Sequence, residues 1–67
     1  MQNITLAQRI KDARKTENLS QTAAAEKWEI GLGTLRDWEQ GRAQPRGLYR
    51  DRIEDILGKI ERKHGRG

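Results

Sequence analysis

Along the first third of the chain, Leu6, Ile10 and Ala13 recur every three or four residues, with Leu19 closing the series. That period lays them on one stripe of a helix. Thr5-Leu6-Ala7-Gln8 fits a capping box, Thr5 bonding forward into the first turn and Gln8 reaching back, so a first helix is expected from about Leu6 to Glu17. Asn18 suits a left-handed cap after it. Ser20 is a good N-cap for a second helix, the alanine-rich Gln21 to Trp28. Glu29 and Ile30 leave room only for a tight corner, with Ile30 tucked into the angle. After Gly31 a third helix carries Leu35 and Trp38 inward and stops at Gly41, the residue best suited to a left-handed C-terminal cap. From Leu48 onward, Tyr49, Ile53, Ile56, Leu57 and Ile60 repeat at a helical period with no strand reading, which predicts a last helix over about 48–62. A break near Asp51 would divide it, giving five helices instead of four. Gly58 weakens this helix by roughly 1 kcal/mol relative to Ala, and His64 to Gly67 are expected to form a flexible tail.

Composition narrows the class. Sixty-seven residues are expected to make one all-α domain over 1–63 that buries only about 60% of its unfolded surface. With no cysteine and a single histidine, neither disulfides nor thiolate metal sites supplement the core, and no metal or cofactor is expected. Charged residues make up 36% of the chain, so no stretch approaches the roughly 20 apolar residues of a membrane span and no leader-like apolar run is visible. A cytoplasmic protein with no membrane partner is expected.

Lysine and arginine exceed the acids by 14 to 10, which favours a polyanionic partner without specifying one. Placement says more. Gly41 to Arg50 carries Arg42, Arg46 and Arg50 with no acid between them, directly after the third helix. Two short helices joined by a tight corner and followed by a basic exit form a unit able to set one helix into a DNA groove, with flanking phosphates beside the arginines.

The same residues resemble the helix-turn-helix family of phage Cro and repressor proteins, the XRE family. Ser20-Gln21 opens the second helix, Ala25-Glu26-Lys27 matches a small residue followed by polar ones, and Ile30 is the turn hydrophobe. Thr34-Leu35, Trp38-Glu39, Gly41 and Pro45 follow the closing aromatic-Glu-x-Gly-x-x-x-Pro pattern. The resemblance implies a compact, lambda-repressor-like domain whose third helix reads double-stranded DNA. At Ala24 the family usually has a larger aliphatic and at Trp28 a leucine, so the indole is expected to fill what Ala24 leaves empty. Trp28 and Trp38 are therefore read as core. Glu29 stands where the family often has glycine, at a cost of about 1–2 kcal/mol if its φ is positive.

With Leu35 and Trp38 inward, Leu32, Gly33, Arg36, Asp37 and Gln40 are the candidates for base contact. Arg36 can bond O6 and N7 of a guanine together, and Asp37 can accept from a cytosine amino group or select against other bases. Leu32 and Gly33 replace polar residues of the family pattern. Leu32 can meet a thymine methyl and Gly33 can permit close backbone approach; alternatively, direct readout is reduced and DNA shape carries part of the specificity. Gln21 resembles a family position that meets phosphate, and Thr22, Arg42, Arg46 and Arg50 are the phosphate candidates beside it. The resemblance also implies an architectural ion pair between Glu39 and Arg14. Ile56 and Ile60 are expected at a dimer interface, the alternative being that they complete the monomer's core.

No nucleophile lies near a base and no phosphate loop or paired metal ligands appear, so an enzyme is not expected. The reading is a sequence-specific transcriptional regulator, a repressor acting as a homodimer on a palindromic operator. The alternative is a DNA-binding antitoxin or accessory module with a protein partner such as a toxin.

Overall fold

Thr5, Ser20, Glu29 and Gly41 each mark a helix boundary through a capping side chain or a left-handed backbone. The computed structural model describes residues 5–64, which form α1 (Leu6–Thr16), α2 (Gln21–Trp28), α3 (Leu32–Gln40) and α4 (Gly47–His64). Thr5 Oγ1 accepts from the Gln8 backbone N–H at 3.1 Å, which satisfies one of α1's free donors. The reciprocal half of the capping box is not made. Gln8 instead turns forward, its Nε2 donating to Asp12 Oδ1 at 2.9 Å, a charge-assisted bond that carries the amide away from the Thr5 N–H. After α1 the chain reverses at Asn18, whose φ is 58°.

Ser20 Oγ accepts from the Ala23 N–H at 3.0 Å and opens α2. Glu29 ends it in the left-handed region, φ 60°, a conformation that costs an L-residue with a side chain roughly 1–2 kcal/mol. Arg52 of α4 compensates. Its Nη2 donates to the Trp28 carbonyl at 2.7 Å, occupying an acceptor that the end of a helix leaves open. Gly41, at φ 78°, closes α3, and Gly47, at φ 57°, turns the basic exit into α4; both need the freedom that only glycine has cheaply.

α4 is one continuous helix. The break considered near Asp51 is absent, since the four-residue step from Tyr49 to Ile53 is itself helical, with Arg50 and Asp51 facing solvent and Arg52 reaching back to the end of α2. Arg50 and Glu54 then bridge one turn at 3.3 Å. The helix also runs on through His64 instead of leaving it in a tail. The reason is Glu17 at the end of α1, which holds His64 Nε2 at 2.8 Å and Lys63 Nζ at 4.0 Å. The rest of the expected tail, 65–67, lies outside the described residues.

α1 packs against α3 and α4, and α2 against α3. Ile10, Leu35, Ile53 and Leu57 are the largest fully buried side chains at the centre, each contributing about 1.5–3 kcal/mol by leaving water. Trp28 and Trp38 are both core, and Ala24 lies fully buried in the same cluster. Pro45 is buried too, although the exit around it is exposed. Ile60, expected with Ile56 at a dimer interface or else in the monomer's core, packs within the single copy. It is only 9% exposed, and Ile56 is partly buried against the same cluster. α1 lies along the second half of α4, where Ile60 completes the monomer's core and Arg9 meets Glu61 at 2.9 Å and Glu54 at 3.0 Å. Among the described residues the large apolar side chains most open to solvent are Leu48, 81% exposed, and Tyr49, 53% exposed, whose ring meets Trp38 edge-on at 6.1 Å.

Candidate nucleic-acid interface

α3 presents a narrow exposed face because its other side is committed to the core. Leu35 and Trp38 are buried, and Glu39 is buried beside them. Gly33, Arg36 and Gln40 are exposed, and Asp37 is half-exposed at their edge. Leu32 does not belong with them. It lies three residues before Leu35, hence on the same helical face, and packs partly buried against the core. Gly33 sits in open space: apart from its chain neighbours and the backbone of its own helix, nothing lies within 4 Å of where a Cβ would stand. The exposed surface at the start of α3 is therefore the Gly33 backbone beside Thr34, with the long side chains of Arg36 and Gln40 farther along the helix.

Beneath that face lies a polar network. Arg14 Nε and Nη2 reach Glu39 Oε2 and Oε1 at 2.7 and 3.1 Å, a bidentate pair linking α1 to α3. The remaining Arg14 nitrogen donates to the Leu19 carbonyl at 2.9 Å. The Glu39 side chain is 2% exposed and that of Arg14 14%. Burial alone would raise the carboxyl's pKa, but hydrogen bonds from Arg14 and Gln21 outweigh it and hold Glu39 below its ordinary range. Gln21, the first residue of α2, stands between this pair and the surface: its Nε2 donates to Glu39 Oε1 at 3.2 Å, and its Oε1 accepts from Arg36 Nε at 3.4 Å. Nothing in the sequence signals this bridge, since the partners are 18 and 15 residues apart and meet only through the packing of α2 on α3.

The exit from α3 is exposed on its charged side. Arg42, Arg46 and Arg50 all face solvent, as does Thr22 beside Gln21 on α2. Arg42 lies 3.6 Å from Asp37, and Arg50 lies 3.3 Å from Glu54. Exposed pairs of this kind are worth about 0–1 kcal/mol, so each arginine is free to exchange its carboxylate for a phosphate at little cost. Arg46 makes no ion pair among the described residues. Asp37 thus faces Arg42 across the end of α3.

Among the described residues no helix is long and apolar enough to cross a membrane. No curated protein and no solved structure matches the chain. A family model described as helix-turn-helix matches residues 10–63, which takes in the buried Ile10, the corner at Glu29 and Ile30, the whole of α3 and nearly all of α4. The caps at Ser20 and Gly41, the Arg14–Glu39 pair and the exposed face of α3 all fall within that match, and the chain belongs to the XRE-type helix-turn-helix family of DNA-binding regulators.

Proposed function

We propose that this domain is a sequence-specific repressor that binds a palindromic operator as a dimer, with α3 in the major groove. The observation that carries the reading is the exposed face of α3 running directly into exposed Arg42, Arg46 and Arg50. Arg36 is the principal base reader, its guanidinium spanning O6 and N7 of a guanine. Gln40 and the backbone at Gly33 make the adjoining contacts, and Asp37 edges the same face. Gln21, Thr22 and the three exit arginines hold the flanking phosphates, which sets register and orientation. Repression requires only occupancy, since a protein seated over a promoter blocks it without any further surface.

A single α3 spans few base pairs, so regulatory specificity calls for two copies on half-sites about 10 bp apart or a multiple of that. Ile60 is committed to the core, and the contact between copies falls instead to Leu48 and Tyr49. They are large, exposed and next to the basic exit, so a two-fold contact through them would bring the two basic exits close together. Fluorescence anisotropy on random-sequence duplexes over a range of salt tests the DNA reading. Affinity should fall steeply with salt, and a flat response would contradict it.

A further inference from the structure

Gln21 is placed to do more than meet a phosphate. A carboxylate can only accept hydrogen bonds, so the side-chain amide facing Glu39 must turn its NH2 toward it. That choice dictates the other end. With Nε2 bound to Glu39 Oε1 at 3.2 Å, the amide oxygen is directed away, and there it meets Arg36 Nε at 3.4 Å. An arginine Nε–H can only donate, so the two ends of the amide are matched to their partners and a flipped amide would be mismatched at both. Glu39 is in turn fixed by Arg14, and Arg14 by the Leu19 carbonyl. A continuous series of hydrogen bonds thus runs from the buried α1–α3 pair to the guanidinium on the exposed face.

The consequence falls on the geometry of readout. Holding Nε fixes the plane of the guanidinium and leaves both terminal nitrogens free, which is the arrangement a bidentate contact to a guanine needs. Without that restraint Arg36 is an exposed, flexible side chain that can reach a phosphate as readily as a base. The 3.4 Å separation is long for a hydrogen bond, so its effect is directional and its contribution to the stability of the free domain small.

We propose that Gln21 is a positioning residue for base recognition: its amide, turned by Glu39, aims Arg36 at one guanine of the half-site. This rests on the reading of Arg36 as the base-contacting residue. It predicts a discrimination effect at one position of the site, whereas a phosphate contact would weaken every duplex alike.

The test compares wild type, Gln21→Met, Arg36→Ala and the double variant on duplexes selected by the wild type from a random pool and then substituted one base pair at a time. Gln21→Met keeps the length of the side chain and suits a helix, and thermal melting establishes that it folds. In the wild type one guanine should be preferred. Gln21→Met should lose roughly five- to tenfold of that preference, within what one bidentate contact supplies, with the melting temperature and the salt slope unchanged. In the Arg36→Ala background the same substitution should change that preference no further. The Arg36 Nε–H resonance of the free protein should move in Gln21→Met while backbone resonances away from α2 and α3 stay in place. If Arg36→Ala erases the preference but Gln21→Met retains it, or weakens all duplexes equally, the positioning role is wrong and the base-reading role stands. If Arg36→Ala leaves every preference intact, both fall.

Discussion

At the scale of single residues, the division of α3 into a committed and a free side sets what each substitution does. Arg36→Ala removes an exposed side chain, so the fold should hold while affinity for the specific site falls by about 1–3 kcal/mol and affinity for random DNA changes far less. Equal loss on both in a binding titration would reduce Arg36 to a phosphate contact. Arg14→Ala acts on the other side. It leaves Glu39, whose side chain is 2% exposed, without its main partner, and breaking a buried pair in this way costs about 3–5 kcal/mol. A urea titration near neutral pH measures this directly. The pH dependence follows from the direction of Glu39's shift. Its folded-state pKa lies below the ordinary 4.5, so the stability it contributes is complete above that value and is lost as pH falls through the lowered one. Glu17, bound to His64, and Glu61, bound to Arg9, are lowered in the same direction. The urea midpoint should therefore decline as the solution is acidified below about pH 4.5, and Glu39→Gln should make that decline shallower. Ile60→Asp belongs here as well: a carboxylate in place of a side chain 9% exposed has to give up its water beside an apolar core, and the domain should unfold instead of merely losing its partner.

Among the elements, the corner between α2 and α3 holds the clearest conflict between local preference and fold. Glu29 occupies a left-handed conformation at φ 60° that glycine adopts without strain, and its contact with Arg52 is an exposed one at 3.5 Å, worth little. Glu29→Gly should therefore stabilise the domain by roughly 1 kcal/mol and raise its melting temperature by about 4–8 °C. A lower melting temperature would mean that the Arg52 contact outweighs the strain. Caps and helix starts of this kind are legible in the amino-acid sequence alone, because Thr5, Ser20, Asn18 and Gly41 act within a turn of their own position. The Arg14–Glu39 pair is legible only through the family resemblance. What the sequence hides are the features made by one helix on another. Arg52 looks like one more surface charge until α4 brings it to the end of α2. Ile60 looks stranded until α1 packs along α4. Leu32 departs from expectation for a different reason: the family pattern suggests a groove-facing position, while the helical angle from Leu35 puts it on the core side.

For the whole molecule, the separation of roles is spatial. The buried network between α1, α2 and α3 fixes the reading helix, and the cations proposed to meet DNA are those with exposed, weak carboxylate partners or, among the described residues, none. Removing Arg42, Arg46 or Arg50 singly should weaken binding to every duplex and lower the slope of log affinity against log salt by about 1 per contact. An unchanged slope in all three would place them in solvent. In the proposed dimer, association of two copies is carried by the apolar pair at the start of α4. Leu48→Asp should fold normally, since Leu48 is 81% exposed, but should abolish cooperative occupancy of a two-half-site duplex while leaving half-site binding. Sedimentation and gel-shift titrations report the two effects separately. The most direct measurement is selection of bound sequences from a pool of random duplexes, performed with wild type and Arg36→Ala in parallel. Wild type should enrich an inverted repeat, its half-sites about 10 bp apart or a multiple of that, with one guanine per half-site whose enrichment disappears in Arg36→Ala. A pool that stays random, or a motif identical for the two proteins, would contradict recognition through α3.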